Sequence, residues 1–230
     1  MSTETDPLDE AQWAQVRVAE SLEAEGVAIG GWKLGMTSGE SRDALGAGFR
    51  PFGFVRSDRI YRHGDSLSWA EVTPGQIETE LCILVQEDLT GEITAEAARQ
   101  RVQLAAGFEL NQKRLPPGAQ APDRIADNLS QWGIVAGNPV PVPESWAQED
   151  MVVRILRDGA VVSEVSAQNH IDDHLLTIAR LANRLQRFGR KLSKGDLVIT
   201  GAFGKVSEPE PGAYTGSFSG VGDVTINVTR

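Results

Sequence analysis

Two glutamates, Glu78 and Glu80, lie two residues apart in Gln76-Ile77-Glu78-Thr79-Glu80-Leu81-Cys82-Ile83-Leu84-Val85. The apolar tail of this run, bounded by Pro74-Gly75 and by Gln86-Glu87-Asp88, predicts a buried strand. Residues two apart on a strand share a face, which sets the two carboxylates about 6.5–7 Å apart along the chain. Like charges at that spacing repel, and each is unfavourable to bury unpaired. A divalent cation relieves both problems, and carboxylate oxygens suit Mg²⁺ or Mn²⁺ better than zinc. A solvated edge strand relieves them as well, so the pair alone leaves both readings open. A third acid, Glu109, stands in the apolar run Ala105-Ala106-Gly107-Phe108-Glu109-Leu110. Alone it reads as a surface or ion-paired carboxylate. With Glu78 and Glu80 it would complete an open-sided three-carboxylate centre of the kind used in metal-assisted catalysis.

The elements that must position these acids follow from local pattern. Residues 1–7 are expected to be disordered. Asp9 to Glu25 predicts an amphipathic helix with an imperfect apolar stripe of Trp13, Val16, Val18, Leu22 and Ala24, stopped by Gly26. Arg50 to Val72 is turn-rich and suits short β elements. Thr94 to Ala106 predicts a helix capped by Thr94, with Glu109 just beyond it. Leu115-Pro116-Pro117-Gly118 opens a loop that could close over a site. Asp127-Asn128 suits a turn held by side-chain-to-backbone bonds.

Met151 to Val165 predicts a hairpin turning at Asp158-Gly159. His170-Ile171-Asp172-Asp173-His174 mimics a helical zinc motif. We read it instead as a helix start, with Asn169 as N-cap, aspartates in the first turn, and a core face of Leu175, Ile178, Leu181, Ala182 and Leu185 running to Gly189. Leu197 to Gly201 and Val224 to Val228 read as strands of the main sheet. Helices alternating with short strands give an α+β chain.

Several blocks resemble one family in order and spacing. Gly31-Trp32-Lys33-Leu34-Gly35-Met36-Thr37-Ser38 is similar to its G-Y-K-I-G-L-T-S segment, Gln76 to Leu81 to R-V-E-x-E-I, and Gly107 to Arg114 to A-L-E-I-x-D-S-R. Ile125 to Ser130 resembles I-A-D-N-A-S. Leu181-Ala182-Asn183-Arg184-Leu185, Gly195 to Gly201 and Phe218 to Gly222 follow its C-terminal blocks. The chain thus resembles the 2-keto-4-pentenoate hydratase / 4-oxalocrotonate decarboxylase group of the fumarylacetoacetase superfamily from about residue 28 to its end.

The resemblance implies a mixed β-roll with peripheral helices and an Mg²⁺ (or Mn²⁺) ion on Glu78, Glu80 and Glu109. It raises Lys33 from a snorkelling surface lysine to a catalytic residue that holds substrate oxygens and relays a proton, with a pKa lowered by partial burial. Thr37, Ser38, Ser130, Trp132 and Phe203 become substrate contacts. The family usually carries a longer N-terminal region, which is expected to be shortened here.

Departures accompany the resemblance. Arg50-Pro51-Phe52-Gly53-Phe54 stands where hydratases read P-D-F-G-Y, so Pro51 replaces an acid. Trp132 takes the place of a small residue and can narrow the pocket or pack as core. Ala202 and Gly204 flank Phe203 where G-S-F-T carries two hydroxyls.

Composition sets the outer bounds. The 230 residues, 40% of them hydrophobic, suit one domain over 1–230, with a tail and helix over 1–27. A net charge of −10 argues against nucleic acid or an anionic membrane as partner. One cysteine excludes an internal disulfide framework, and Cys82 reads as core packing in a cytoplasmic protein. No apolar run approaches the roughly 18 residues of a membrane span, and the acidic start lacks a signal peptide's basic region.

Two functions stand at this point. One is a metal-dependent lyase of small 2-oxo or 2-hydroxy dienoic acids, a hydratase first and a decarboxylase second, forming a homo-oligomer. The other is a repurposed or non-catalytic member serving as a partner subunit, suggested by Pro51, Trp132, Ala202 and Gly204.

Overall fold

The computed structural model describes residues 6–46 and 48–230. The disorder expected over 1–7 falls outside the described residues for 1–5, and Asp6 and Pro7 are ordered helix-start residues. Helix α1 (Pro7–Ala24) opens with the Asp6 side chain accepting the Leu8 N–H at 2.9 Å, and proline presets its first turn. Its buried face is not the expected stripe. Val16 is buried as expected, but Ala11, Gln12, Gln15 and Ala19 complete the face, while Trp13 and Val18 are exposed. The reason is polar. Gln12 donates to Phe52 O (3.0 Å) and accepts from Phe52 N (3.2 Å), and Gln15 donates to the Asn128 side chain (2.9 Å). The helix covers backbone groups that require partners.

Strand β1 (Ile29–Leu34) follows α1, and β2 (Phe52–Arg56), β3 (Ile60–Arg62) and β4 (Ser66–Ser68) are the short β elements expected after Arg50. Strand β5 (Gly75–Val85) is the predicted Glu78/Glu80 strand. The helix predicted over 94–106 is corrected. Helix α2 covers only Ala95–Arg99, and Val102–Gln112 is strand β6. Thr94 does cap α2, accepting the Ala97 N–H at 3.2 Å. Beyond it, pairing with β5 over the whole of β6 overrides a spacing of Ala98, Val102 and Ala105 that also fits a helix.

Helix α3 (Ala121–Ala126), strands β7 (Gln131–Ala136) and β8 (Val140–Pro141), and the hairpin β9 (Val152–Arg157) to β10 (Ala160–Ser166) follow. Asp158 and Gly159 turn the hairpin with φ of +49° and +83°, as a two-residue primed turn requires. Helix α4 (His174–Arg187) has the predicted core face, but its N-cap is Asp173, which accepts the Leu176 N–H at 2.6 Å. Asn169 lies outside it in the left-handed region, at φ +58°. Strands β11 (Leu197–Ser207), β12 (Gly212–Phe218) and β13 (Gly222–Thr229) complete the chain.

Among the described residues the strands form two sheets. One runs β2-β1-β11-β5-β6-β7-β3, with β8 on β6. The other runs β10-β9-β12-β13-β4. Val224 to Val228 therefore belongs to the second sheet, not to the main sheet as expected. Parallel pairs (β1/β11, β3/β7, β13/β4) occur among antiparallel ones, so the architecture is the mixed α+β expected. The large sheet curls until its ends meet. A Cβ on Gly30 of β1 would stand 2.6 Å from the tip of the Ile60 side chain on β3 and 3.1 Å from Ser57 Cα, so β1 and β3 approach closely where the roll closes. This is a roll.

Alternation along β5 divides the interior. Ile77, Leu81 and Ile83 join Phe108, Ile155, Tyr214, Phe218 and the α4 face in a large core between the sheets. On the concave side, Val55, Cys82, Ala105, Ile134 and Ile199 make a small apolar plug inside the roll. Glu78 and Glu80 are on that concave side, next to the plug.

Candidate metal centre

Register decides where the acids meet. Glu78 on β5 is the direct partner of Glu109 on β6, and Glu80 is the partner of Gly107, so all three side chains rise from one face. One carboxylate oxygen from each lies within 4.8 Å of the other two. Glu80 and Glu109 are 3% and 1% exposed, and Glu78 is half-buried. Each is oriented by a partner. Glu78 accepts from the Gln76 side chain (2.8 Å) and the Asn111 side chain (2.7 Å), and Glu80 accepts from Gly201 N–H (2.7 Å). Glu109 pairs with the Lys33 ammonium.

Lys33 arrives from β1, whose register places it beside Ile199 on β11 and Gly53 on β2. It is 6% exposed and also donates to Leu129 O at 3.3 Å. The expectation that burial lowers its pKa is corrected. Burial does pull it down, but Glu109, Glu80 and Glu78 together outweigh burial and hold it above the usual lysine value. Lys33 is an ammonium in this structure. Burial, and then Glu109, pushes Glu78 up to about 7, and the same two causes raise Glu80 well above the usual carboxylate range. Cys82, one step deeper on the same face, is pushed to about 12 by burial and by Glu80, and is an inert core thiol.

The donor set is all oxygen and carries three negative charges, when ionised, against one buried ammonium. The remaining charge of two matches one divalent cation, and hard carboxylate donors fit Mg²⁺ or Mn²⁺. The residues therefore fit the metal that the sequence called for. The zinc-like motif does not: His170 Nε2 sits 3.2 Å from Ala202 O, while His174 Nδ1 bonds Thr200 Oγ1 at 2.7 Å. Burial lowers the His174 pKa to about 4, so it is a neutral core imidazole.

The remaining candidates are distributed around the roll. Thr37 is buried and donates to Thr200 O (2.8 Å), and Ser38 bridges to Ile171 at the rim. Ser130 ends a turn in which Asn128, Leu129 and Ser130 all have positive φ (58°, 54°, 62°). Asn128 holds this turn by accepting from Phe54 N (2.8 Å) and donating to Phe54 O (2.9 Å), as the sequence suggested for a structural turn. Phe203 stacks between His170, His174 and Phe218. Trp132 is not brought to the carboxylates: its ring stacks on Tyr61 beneath Arg59, on the outside of the roll.

Sequence reasoning missed the polar groups that hold the site. Gln76 on β5 and Asn111 on β6 stand side by side, one row beyond Glu78 and Glu109, and both donate to Glu78. Their signal was a polar residue at the inward position two beyond Glu109. Also missed was buried Arg50, which donates to Asp172 at 2.7 Å while Asp172 N donates to Thr37 O (3.0 Å), tying the Thr37 loop to the start of α4.

No family model matches the chain. Over 205 residues it is 27% identical to a 2-keto-4-pentenoate hydratase of Paraburkholderia phymatum, covering 87% of this chain and 78% of that protein. A 2-keto-4-pentenoate hydratase of Burkholderia vietnamiensis is 27% identical over 209 residues, covering 89% and 80%. Over most of its length the chain is similar to 2-keto-4-pentenoate hydratases. The resemblance read from the sequence is borne out. The fold agrees. The 4-oxalocrotonate decarboxylase of Pseudomonas putida G7, solved with magnesium and adipate, superposes with a TM-score of 0.86 at 20% identity, over 98% of this chain and 87% of that one. The fumarylpyruvate hydrolase of Pseudomonas aeruginosa, solved with Mn²⁺ and pyruvate, gives 0.64 at 16% identity, over 86% and 88%. The chain therefore shares the curled-sheet fold of these two solved structures.

Proposed function

We propose that the chain is a divalent-metal-dependent lyase of small 2-oxo or 2-hydroxy dienoic acids, acting first as a hydratase of the 2-keto-4-pentenoate type. The observation that carries this reading is the convergence of Glu78, Glu80 and Glu109 beside Lys33 inside the roll. The names of the hydratase relatives supply the substrate class. Glu78, Glu80 and Glu109 would hold Mg²⁺ or Mn²⁺. When bound, the ion supplies a Lewis acid that polarises a 2-oxo group, an effect of several kcal/mol on the barrier.

The chain's own residues supply the rest. Lys33, protonated and buried, is placed to donate a hydrogen bond to a substrate oxygen and to deliver a proton to the substrate carbon skeleton. Its bond to Leu129 O aims the ammonium, and Glu109 keeps it charged. The apolar plug of Cys82, Ala105, Ile134 and Ile199 keeps water out of the floor of the site. Ser130 is the proposed hydroxyl contact, with Thr37, Ser38 and Phe203 as further proposed substrate contacts.

Decarboxylation is the second reading. Pro51, Ala202 and Gly204 bring no proton-transfer group, and a decarboxylase needs fewer such groups than a hydratase. Cytoplasmic placement and a homo-oligomer belong to the same proposal. Among the described residues no helix is long and apolar enough to cross a membrane. Edge strand β10 exposes Val161 and Val162, which favours a protein contact there.

The test is to incubate the protein with Mg²⁺ and 2-hydroxypenta-2,4-dienoate, following loss of the diene absorbance, and separately with 4-oxalocrotonate, following CO₂. Hydration of the first supports the reading. CO₂ from the second without hydration of the first makes the decarboxylase primary. Inertness toward both, with no Mg²⁺ bound, overturns the enzyme.

A further inference from the structure

The outside of the roll carries a second polar cleft. Where β2, β7, α1 and α3 meet, a cavity of about 440 Å³ is lined by apolar Val18, Leu22 and Phe54 and by Arg56, Arg59 and Arg114. It is separate from the carboxylates. Phe54 packs in the core outside the roll, whereas Val55, next in the chain, belongs to the plug within it. The Asn128–Ser130 turn stands between the two, with Asn128 lining the cleft and Leu129 O facing Lys33.

The charges of the cleft do not balance. Arg56 is paired with Asp58 (2.7 Å) and Arg114 with Asp127 (2.9 Å). Among the described residues Arg59 has neither a carboxylate nor a hydrogen-bond acceptor. Its guanidinium lies flat over Trp132, 4.7 Å from the ring centre, and Trp132 stacks on Tyr61. Three guanidiniums against two carboxylates leave one positive charge. Burial, then Arg56, lower the Arg59 pKa, and Asp58 opposes them only in part, so a bound anion would favour the charged guanidinium. Gln131, another residue lining the cleft, is 4% exposed, and neither its amide nitrogen nor its oxygen has a partner. A buried amide left so is unusual in a finished structure and is satisfied when a polar group arrives.

We propose that this cleft binds a small organic monocarboxylate with a flat apolar body, its carboxylate on Arg59 and Gln131 and its body against Phe54, Val18 and Leu22. One net positive charge favours a monoanion over a phosphate dianion, and the aromatic wall favours an unsaturated or aromatic acid. A planar fork facing a carboxylate gives the paired hydrogen bonds that recognise it.

Benzoate serves as the probe, titrated calorimetrically into protein holding Mg²⁺ and oxalate so that the carboxylate centre is already filled. The expected result is saturable binding of one benzoate per chain. It should persist in Glu78→Gln, weaken about tenfold or more in Arg59→Gln, and recover in part in Arg59→Lys. Arg59 is half-exposed, so its variants should keep the parent melting temperature. The proposal is overturned by absence of saturable binding, by equal affinity in Arg59→Gln, by loss of binding in Glu78→Gln, or by inorganic phosphate displacing benzoate with higher affinity. The Glu78→Gln control also separates this outcome from failure of the lyase reading, which does not involve Arg59.

Discussion

Glu78 and Glu109 face each other directly across neighbouring antiparallel strands, a like-charged pair on the closed inner side of a roll. Such a pair opposes folding unless something positive stands between its members. Lys33 supplies one charge to Glu109 and leaves Glu78 and Glu80 short of another. The metal-free fold is thus held under electrostatic strain by the rest of the core, and the strain sits where a cation would be bound.

Replacing one member of the pair should separate binding from stability. Glu78→Gln is expected to raise the stability of the metal-free protein by about 1 kcal/mol, because a repelling charge is removed while Gln76 still donates to the amide oxygen and Asn111, whose Oδ1 has no partner, can turn to accept from the new NH₂. Mg²⁺ affinity should fall at least about tenfold, as loss of a direct ligand exceeds the effect of losing its support. Thermal melts in EDTA and Mg²⁺ titration calorimetry measure the two effects. A variant that is less stable in EDTA and binds Mg²⁺ as before would remove Glu78 from the centre.

Lys33→Met should act in the opposite sense on stability. It strips the buried partner from Glu109, so the metal-free protein should lose about 3 kcal/mol, and saturating Mg²⁺ should restore part of that loss. Turnover should drop about a hundredfold or more with metal bound, the usual scale for a general acid. Parallel melts with and without Mg²⁺, together with kcat, decide this. Unchanged kcat at saturating metal would reduce Lys33 to a structural counter-charge.

The pH dependence of stability has a defined sign. An unfolded glutamate loses its proton near 4.5, whereas Glu78 in the fold keeps its proton to about 7. Between those values the folded state binds more protons, so stability falls as pH rises from 4.5 to 7 and the full contribution is present only below 4.5. The size is on the order of 2 kcal/mol, taken from the shift and discounted for the half-exposed side chain. His174, lowered from 6.5 to about 4, works against this by removing stability as pH falls through the same range. Comparing chemical denaturation of the parent with that of Glu78→Gln from pH 4.5 to 7.5 in EDTA isolates the glutamate. The difference between them should grow with pH and vanish in Mg²⁺.

Gly201→Ala tests the support of Glu80. Gly201 has φ of +128°, and a Cβ there would stand 1.9 Å from Thr37 Oγ1. The substitution must move β11 or the Thr37 loop, breaking the Gly201 N–H bond to Glu80 and the Thr37 bond to Thr200 O. A stability loss of more than about 2 kcal/mol is expected, with weaker Mg²⁺ binding even where the fold persists. A melt within a degree of the parent would show that the close approach is dispensable.

Much of this was legible in the chain because it is local. The period-two pattern around Glu78 and Glu80 placed both on one face of a strand, and the run of Leu175, Ile178, Leu181 and Leu185 placed a helix against a core. The same locality misled at Thr94 to Ala106. Ala98, Val102 and Ala105 fit a helical face, and only β5 alongside, with both faces of β6 buried, selects the strand. At α1, the burial of Gln12 and Gln15 has no local signal, because nothing nearby in the chain announces the Phe52 backbone and the Asn128 side chain that they serve.

The sequence by itself determined the identity and strand-face phase of the Glu78 and Glu80 donors, the caps and turn residues, and, through its ordered blocks, the resemblance to the hydratases. These depend on residue types and on spacings of a few positions. Tertiary structure alone decided that Glu109 stands opposite Glu78, that Lys33 is a charged partner and not a lowered-pKa base, that Trp132 turns outward to Arg59, and that Gln131 is left without a partner. Each of these depends on inter-strand register or on the curl that brings β1 around to β3. Register and closure are properties of strands distant in sequence, so no window along the chain contains them.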